Sequence, residues 1–183
     1  NGTDLVLTPS GLRVADQLFP CVVGKNGITS LKREGDKKTP IGRHQIVGMM
    51  YRPDRIPKPR SWATPVRPRD IWSDDVKDLD YNLMGTLPTV FRHERLFRPD
   101  HLYDLVIITN WNWPYAVKGR GSAIFIHSWR KKGYPTEGCV GLSKENLLKV
   151  AKFIDFGSQL IVPETLHAHR RWPNRHGYGL TQN

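Results

Sequence analysis

The chain has 183 residues, enough for one domain with a real core, and 38% hydrophobic with 10% aromatic residues marks a globular rather than a disordered protein. No run of eighteen apolar residues occurs, which excludes a membrane-spanning helix of ordinary length. The formal net charge of +11 suits a polyanionic partner, either nucleic acid or an anionic wall polymer, and no nucleic-acid-binding motif appears among the basic residues.

In chain order the pattern is mostly β. Leu5–Leu7 and Cys21–Val23 read as short strands, with turns at Thr8–Gly11 and Gly24–Gly27. Thr39–Gly42 launches a strand around His44–Val47. Residues 51–70 contain five prolines among arginines, which deny them helix and interior strand. A surface excursion is the favoured reading there, and a basic lid the second. Leu105–Ile108 and Ala123–Ile126 are continuous apolar runs, as in strands buried on both faces. Between them Trp111, Trp113 and Tyr115 either line a groove or plug the end of the core.

One helix is clear. Ser143 caps it, Glu145 suits its positive end, and Leu147, Leu148, Ala151 and Ile154 form its buried face. Gly157 is expected to end it, and Gln159–Val162 to form the last core strand. The tail from residue 166 is basic and rich in histidine. His167 and His169 lack clustered partners, so no metal site is expected.

His127 closes an apolar run, and Cys139 follows twelve positions later between Gly138 and Gly141. A histidine beside a cysteine generates the nucleophilic thiolate. A preceding glycine lets the chain turn and aim backbone N–H groups at an oxyanion. The spacing alone leaves two other readings open: Cys139 as a buried small residue, or as half of a disulfide with Cys21.

The surrounding residues resemble the L,D-transpeptidase family with the YkuD-type catalytic domain, and within it a bacterial branch. Gly121-Ser122-Ala123-Ile124-Phe125-Ile126-His127 is similar to that branch's histidine strand, and Pro135-Thr136-Glu137-Gly138-Cys139-Val140 to its nucleophile turn. Residues 32–46 (KREGDKKTPIGRHQI) resemble the family's glycine-rich signature, residues 100–110 the strand leading to the histidine, and Asp74-Asp75 with Tyr81-Asn82 a further, weaker match. The likeness spans about residues 20–162. Glu137 stands where the wider family has histidine, and the connection from His127 to Cys139 is shorter than usual.

The resemblance implies a mainly β, sandwich-like single domain over 1–165 with one main helix after the cysteine, and a tail over 166–183. It implies a cysteine acyltransferase that cross-links peptidoglycan stem peptides through a thioester, with Cys139, His127 and Gly138 in the catalytic role. Glu137, Thr136, Ser128, Trp129, Tyr81, Asn82, Arg33 and Trp111 are expected to bind substrate. Glu137 should share the cleft with Cys139, either holding a substrate ammonium or neutralised by a nearby arginine or lysine, with Arg33, Arg120 and Arg130 as candidates. No cofactor or metal, no nucleic acid, and a monomer are expected. So is a periplasmic or wall-associated protein whose targeting segment has been removed. The alternatives are an L,D-carboxypeptidase or endopeptidase on the same scaffold, and a non-catalytic basic module that binds wall or nucleic acid.

Overall fold

The computed structural model describes residues 2–168. The strands are β1 (Leu5–Thr8), β2 (Gly11–Val14), β3 (Gln17–Phe19), β4 (Cys21–Val22), β5 (Ile28–Thr29), β6 (Thr39–Pro40), β7 (Gly42–Tyr51) and β8 (Thr64–Pro65). They continue with β9 (Asp70–Ser73), β10 (Met84–Thr86), β11 (His93–Arg95), β12 (Leu105–Thr109), β13 (Phe125–Ser128), β14 (Val140–Leu142) and, after helix α1 (Lys144–Phe153), β15 (Gln159–Val162). A short 3-10 turn covers Glu164–Ala168. The fold is mainly β, a single β-rich domain with one α-helix among the described residues. The histidine-rich tail beyond 168, with His169, lies outside the described residues.

The main sheet runs β3-β2-β1-β15-β7-β12-β13-β14-β4, with β8 added beside β7. β12 and β13 are buried at every position, as the continuous apolar runs require. One face of the sheet packs on α1 through Leu147, Val150 and Ala151, over a core that includes Leu105, Ile107 and Leu142. The opposite face carries Val106, Phe125 and Cys139, and is covered by Trp72 and Leu96 from the region of the small β10-β9-β11 sheet. Cysteine and helix therefore lie on opposite faces of one sheet.

Several expectations shift. The strand expected at 123–126 begins only at Phe125, because Ala123 takes a left-handed φ of 51°. The helix is capped by Ser143, whose Oγ accepts from the Asn146 N–H at 3.1 Å. It stops at Phe153, before Gly157: Ile154 is already extended, and Gly157 serves the following turn with φ 90°. Leu148 is only partly buried, and Val150 completes the inner face. Strands β9 to β11 have no counterpart in the sequence reading.

Residues 51–70 form a clamp. Arg52 lies 3.5 Å from the centre of the Phe97 ring and donates to the Arg98 carbonyl at 2.6 Å. Arg55 donates to the carbonyls of Pro99 and Asp100, and Arg60 ties the end of α1 through the Lys152 carbonyl and Asp155. Ile56, Ala63 and Val66 are buried. None of these residues lines the cleft that holds Cys139, so the lid reading fails.

Asp104, 1% exposed, anchors the clamp. Its Oδ1 takes Arg55 at 2.8 Å, and its Oδ2 takes His101 at 2.7 Å and Lys144 at 2.8 Å. Burial alone would raise its carboxyl, but the bonds from Lys144, Arg55 and His101 outweigh it and hold the group below its usual range. Removing one partner of such a set leaves buried charge uncompensated. Asp104→Ala is expected to lose about 3 kcal/mol, since Arg55 and Lys144 reach water. For a chain of this size that is about 6–12 °C in Tm, measured by thermal unfolding at pH 7. The loss should shrink in acid, because the stabilisation is full above the ordinary carboxyl value and vanishes as pH falls through the lower folded one.

Candidate active site

The site grows from the parallel pairing of β13 and β14, with Ile126 opposite Val140 and His127 opposite Gly141. That register sets Cys139, one step before β14, beside Phe125. The Phe125 N–H donates to Cys139 Sγ at 3.3 Å, and Sγ donates to the Ala123 carbonyl at 3.1 Å. The thiol is thus held between two backbone groups of the histidine strand.

Those backbone groups are themselves fixed. The Ala123 N–H donates to Asn82 Oδ1 at 2.9 Å, which also receives the Trp72 indole N–H at 3.0 Å. Asn82 Nδ2 donates to the carbonyls of Trp111 and Asn112 at 3.0 and 2.7 Å. These bonds hold Ala123 in its left-handed conformation, a strain that needs such support.

The Cys139 turn is pinned by two threonines. Thr136 Oγ1 donates to the Cys139 carbonyl at 2.6 Å and accepts the Gly138 N–H at 3.2 Å. Thr39 Oγ1 donates to the Gly138 carbonyl at 2.7 Å and accepts the Gly24 N–H at 2.9 Å. Gly138 has φ 145°, and a Cβ there would sit 3.0 Å from the Lys38 carbonyl oxygen, so a side chain would be both strained and tightly crowded.

His127 is buried, with Nδ1 2.7 Å from the Ser128 carbonyl. A carbonyl only accepts, so Nδ1 carries the hydrogen and Nε2 keeps its lone pair. Burial holds the imidazole down to about 4. Burial, and after it the charge of Glu94, pushes the Cys139 thiol up to about 12, against the Phe125 N–H and Lys32. The resting pair is a neutral thiol and a neutral imidazole. No hydrogen bond joins them. The thiol hydrogen points to the Ala123 carbonyl instead, and the imidazole packs edge-on against Tyr103, ring centres 5.1 Å apart. Cys21 and Cys139 are both free, so there is no disulfide between them.

Cys139 opens into a cleft of about 290 Å³. Its walls come from Lys32, Glu34 and Gly35, from Asp74, Arg92 and Glu94, from Ser122–Ile124, and from Glu137–Cys139. Four carboxylates face two cations there, in a chain of net charge +11. Glu34 accepts from the Tyr81 hydroxyl and from Ser122 Oγ, and Asp74 pairs with Arg92 at 3.0 Å. Glu137 lies in the cleft and pairs with a lysine, Lys37 at 3.2 Å, while the candidate arginines Arg33, Arg120 and Arg130 form no ion pair with it.

The remaining residues expected to bind substrate do not line the cleft. Tyr81, 2% exposed, and Asn82, 1% exposed, are buried and committed to Glu34 and to the Ala123 backbone. Thr136 is spent on the turn, and the Gly138 N–H, expected to face an oxyanion, is engaged by it. Ser128 is buried, its Oγ without a hydrogen-bond partner. The Trp129 N–H donates to the Leu142 carbonyl. Arg33 is exposed, between the cleft residues Lys32 and Glu34. Trp111 packs edge-on against His44 at 5.4 Å and lies beneath Arg120, while Trp113 joins the core and Tyr115 is exposed.

Sequence reasoning missed Lys32, Glu34, Arg92, Glu94 and Ser122 as cleft walls. Lys32, Glu34 and Ser122 lie inside stretches already singled out, which was the available signal. Among the described residues, no three His, Cys, Asp or Glu side chains gather to hold a metal, and no helix is long and apolar enough to cross a membrane.

Against known proteins, the model of the YkuD family, the L,D-transpeptidase catalytic domain, matches residues 7–162. No curated protein and no solved structure matches the chain.

Proposed function

We propose, since the chain belongs to the YkuD family of L,D-transpeptidase catalytic domains, that it is a peptidoglycan L,D-transpeptidase working through a cysteine thioester. The observation that carries the reading is Cys139 at the wall of the cleft, on a turn that Thr136 and Thr39 pin through the carbonyls of Cys139 and Gly138.

The thiol hydrogen turns from the Ala123 carbonyl toward His127, whose neutral imidazole takes it. Sγ attacks the donor amide carbonyl, the C–N bond breaks, and the imidazolium returns the proton to the leaving amine. An acceptor amine then attacks the thioester, the C–S bond breaks, and the sulfur regains its proton. The Cys139 N–H is the oxyanion donor of choice, because that of Gly138 is shared with Thr136. The reading requires no cofactor. It places the protein in the periplasm or at the wall, as a monomer acting on stem peptides.

Incubation of the pure protein with wall fragments, followed by mass spectrometry, tests it. Cross-linked dimers are expected. Trimmed monomers would make the protein a carboxypeptidase or endopeptidase, and unchanged fragments would leave only a binding module.

A further inference from the structure

Glu94 has no part in that chemistry, yet it lines the cleft with Cys139. Its Oε2 accepts the Tyr103 hydroxyl, and its Oε1 has no hydrogen-bond partner among the described residues. The Tyr103 ring meets His127 edge-on at 5.1 Å and Phe125 at 6.3 Å. An aromatic packed against His127 and Phe125 therefore holds this carboxylate at the wall of the cleft it shares with Cys139.

The other charges around it are taken. Lys32 donates to Asp36 and to the Arg33 carbonyl. Arg92 pairs with Asp74, and Arg98, which lies over Tyr103, pairs with Asp100. Glu137 has Lys37. Glu34 lacks a cation but has both oxygens bonded, to Tyr81 and Ser122 and to the Gly35 N–H. Among the described residues, Glu94 is the one cleft carboxylate that combines the lack of a cation partner with an open oxygen.

An ionised carboxylate beside a thiol opposes thiolate formation. Burial, the largest effect, holds the Glu94 carboxyl above its ordinary value; the Tyr103 hydrogen bond favours the charged form and only partly offsets that rise. The Glu94 charge adds to burial in holding the Cys139 sulfur protonated. We propose that Glu94 is a charge gate on Cys139: ionised, it keeps the sulfur protonated, and a primary ammonium of the substrate that pairs with its open oxygen allows the proton to leave. The ammonium pairs without covalent change, and the thiol proton passes to His127. The inference rests on the transpeptidase reading for the source of the cation, because that reaction brings amines into the cleft.

Alkylation of the full chain by the neutral reagent iodoacetamide, followed across pH by mass analysis of the Cys139 peptide, tests the gate. In Glu94→Gln the rise in rate is expected about one pH unit lower than in wild type, about tenfold faster at a fixed pH on the limb. Methylammonium chloride, set against sodium chloride at equal ionic strength, is expected to speed the wild type several-fold and leave Glu94→Gln unmoved. Tyr103→Phe keeps the ring against His127 but removes the bond that favours the charged carboxylate, so it should shift the profile in the same direction by less. If Glu94→Gln does not fold, judged by near-ultraviolet circular dichroism, Tyr103→Phe and the methylammonium response of the wild type decide. Coincident profiles overturn the gate. Stimulation by methylammonium in both proteins, or in neither, overturns the ammonium as its key. The assay uses no wall substrate, so dimers formed from wall fragments alongside an unshifted profile defeat the gate alone. A shifted profile with unchanged fragments defeats the transpeptidase reading alone.

Discussion

Cys139→Ala is expected to abolish turnover of wall fragments while the protein keeps its fold. The turn does not depend on the sulfur: Thr136 and Thr39 hold it through the carbonyls of Cys139 and Gly138, and alanine retains both. The loss is two weak sulfur hydrogen bonds and a small apolar volume in a buried position. Cys21→Ala is the control. Cys21 sits on β4 opposite Leu142, belongs to the core on the α1 side, and is pushed up to about 12 by burial. Its replacement should lower stability without touching turnover. Product analysis by mass spectrometry beside circular dichroism separates the two. Residual turnover in Cys139→Ala, or equal loss in both variants with folding intact, would sink the assignment of the nucleophile.

His127→Gln is expected to lower the rate by about two to four orders of magnitude, the usual worth of a positioned proton carrier. The pH profile gives the sharper reading. Burial holds the imidazole down to about 4, so the neutral, proton-accepting form prevails above about pH 4. The acid limb of kcat/KM is therefore expected near pH 4 rather than near the ordinary histidine value of about 6.5, and the variant should lack it. Stability follows the same group. Below about pH 6.5 the unfolded histidine takes a proton that the folded one refuses until about pH 4, so wild-type stability falls across that window. His127→Gln should lose this contribution to the slope. An acid limb that persists unchanged in the variant would assign the proton transfer elsewhere. His44 and His93 are bound to the carbonyls of Pro40 and Phe91 and are the next histidines to test.

What the sequence made legible follows from physics of short range. β12 could be read because Leu105–Ile108 is apolar without interruption, and α1 because a cap, a dipole-matched glutamate and a three-to-four periodicity agree. The Cys139 turn was legible as a turn through its family likeness and its glycine. β9 to β11 were not, because they are three- and four-residue strands set among charged and turn residues, and their pairing is decided by Trp72 and Leu96 reaching the core. The acidic wall of the cleft escaped for the same reason. Glu34, Asp74 and Glu94 come from separate segments and share no local pattern. For Tyr81 and Asn82, expected to bind substrate, the residue types do not reveal whether a polar group faces a ligand or a neighbouring backbone. Here both face backbone, and Tyr81 a carboxylate as well.

The pinning of the nucleophile turn bears on the order in which the protein assembles. Thr39 reaches Gly138 across 99 positions, and on the other side of the turn the Thr136 N–H donates to the Val23 carbonyl. β1 lies parallel to β15, so the first strand pairs with the last. Contacts of such sequence separation close slowly, after local hairpins and helices have formed. The cysteine is in place only when strands from the beginning of the domain have met those from its end. A chain still being made or still unfolded thus carries an ordinary thiol, and its aimed position beside the histidine strand arrives with the completed sheet.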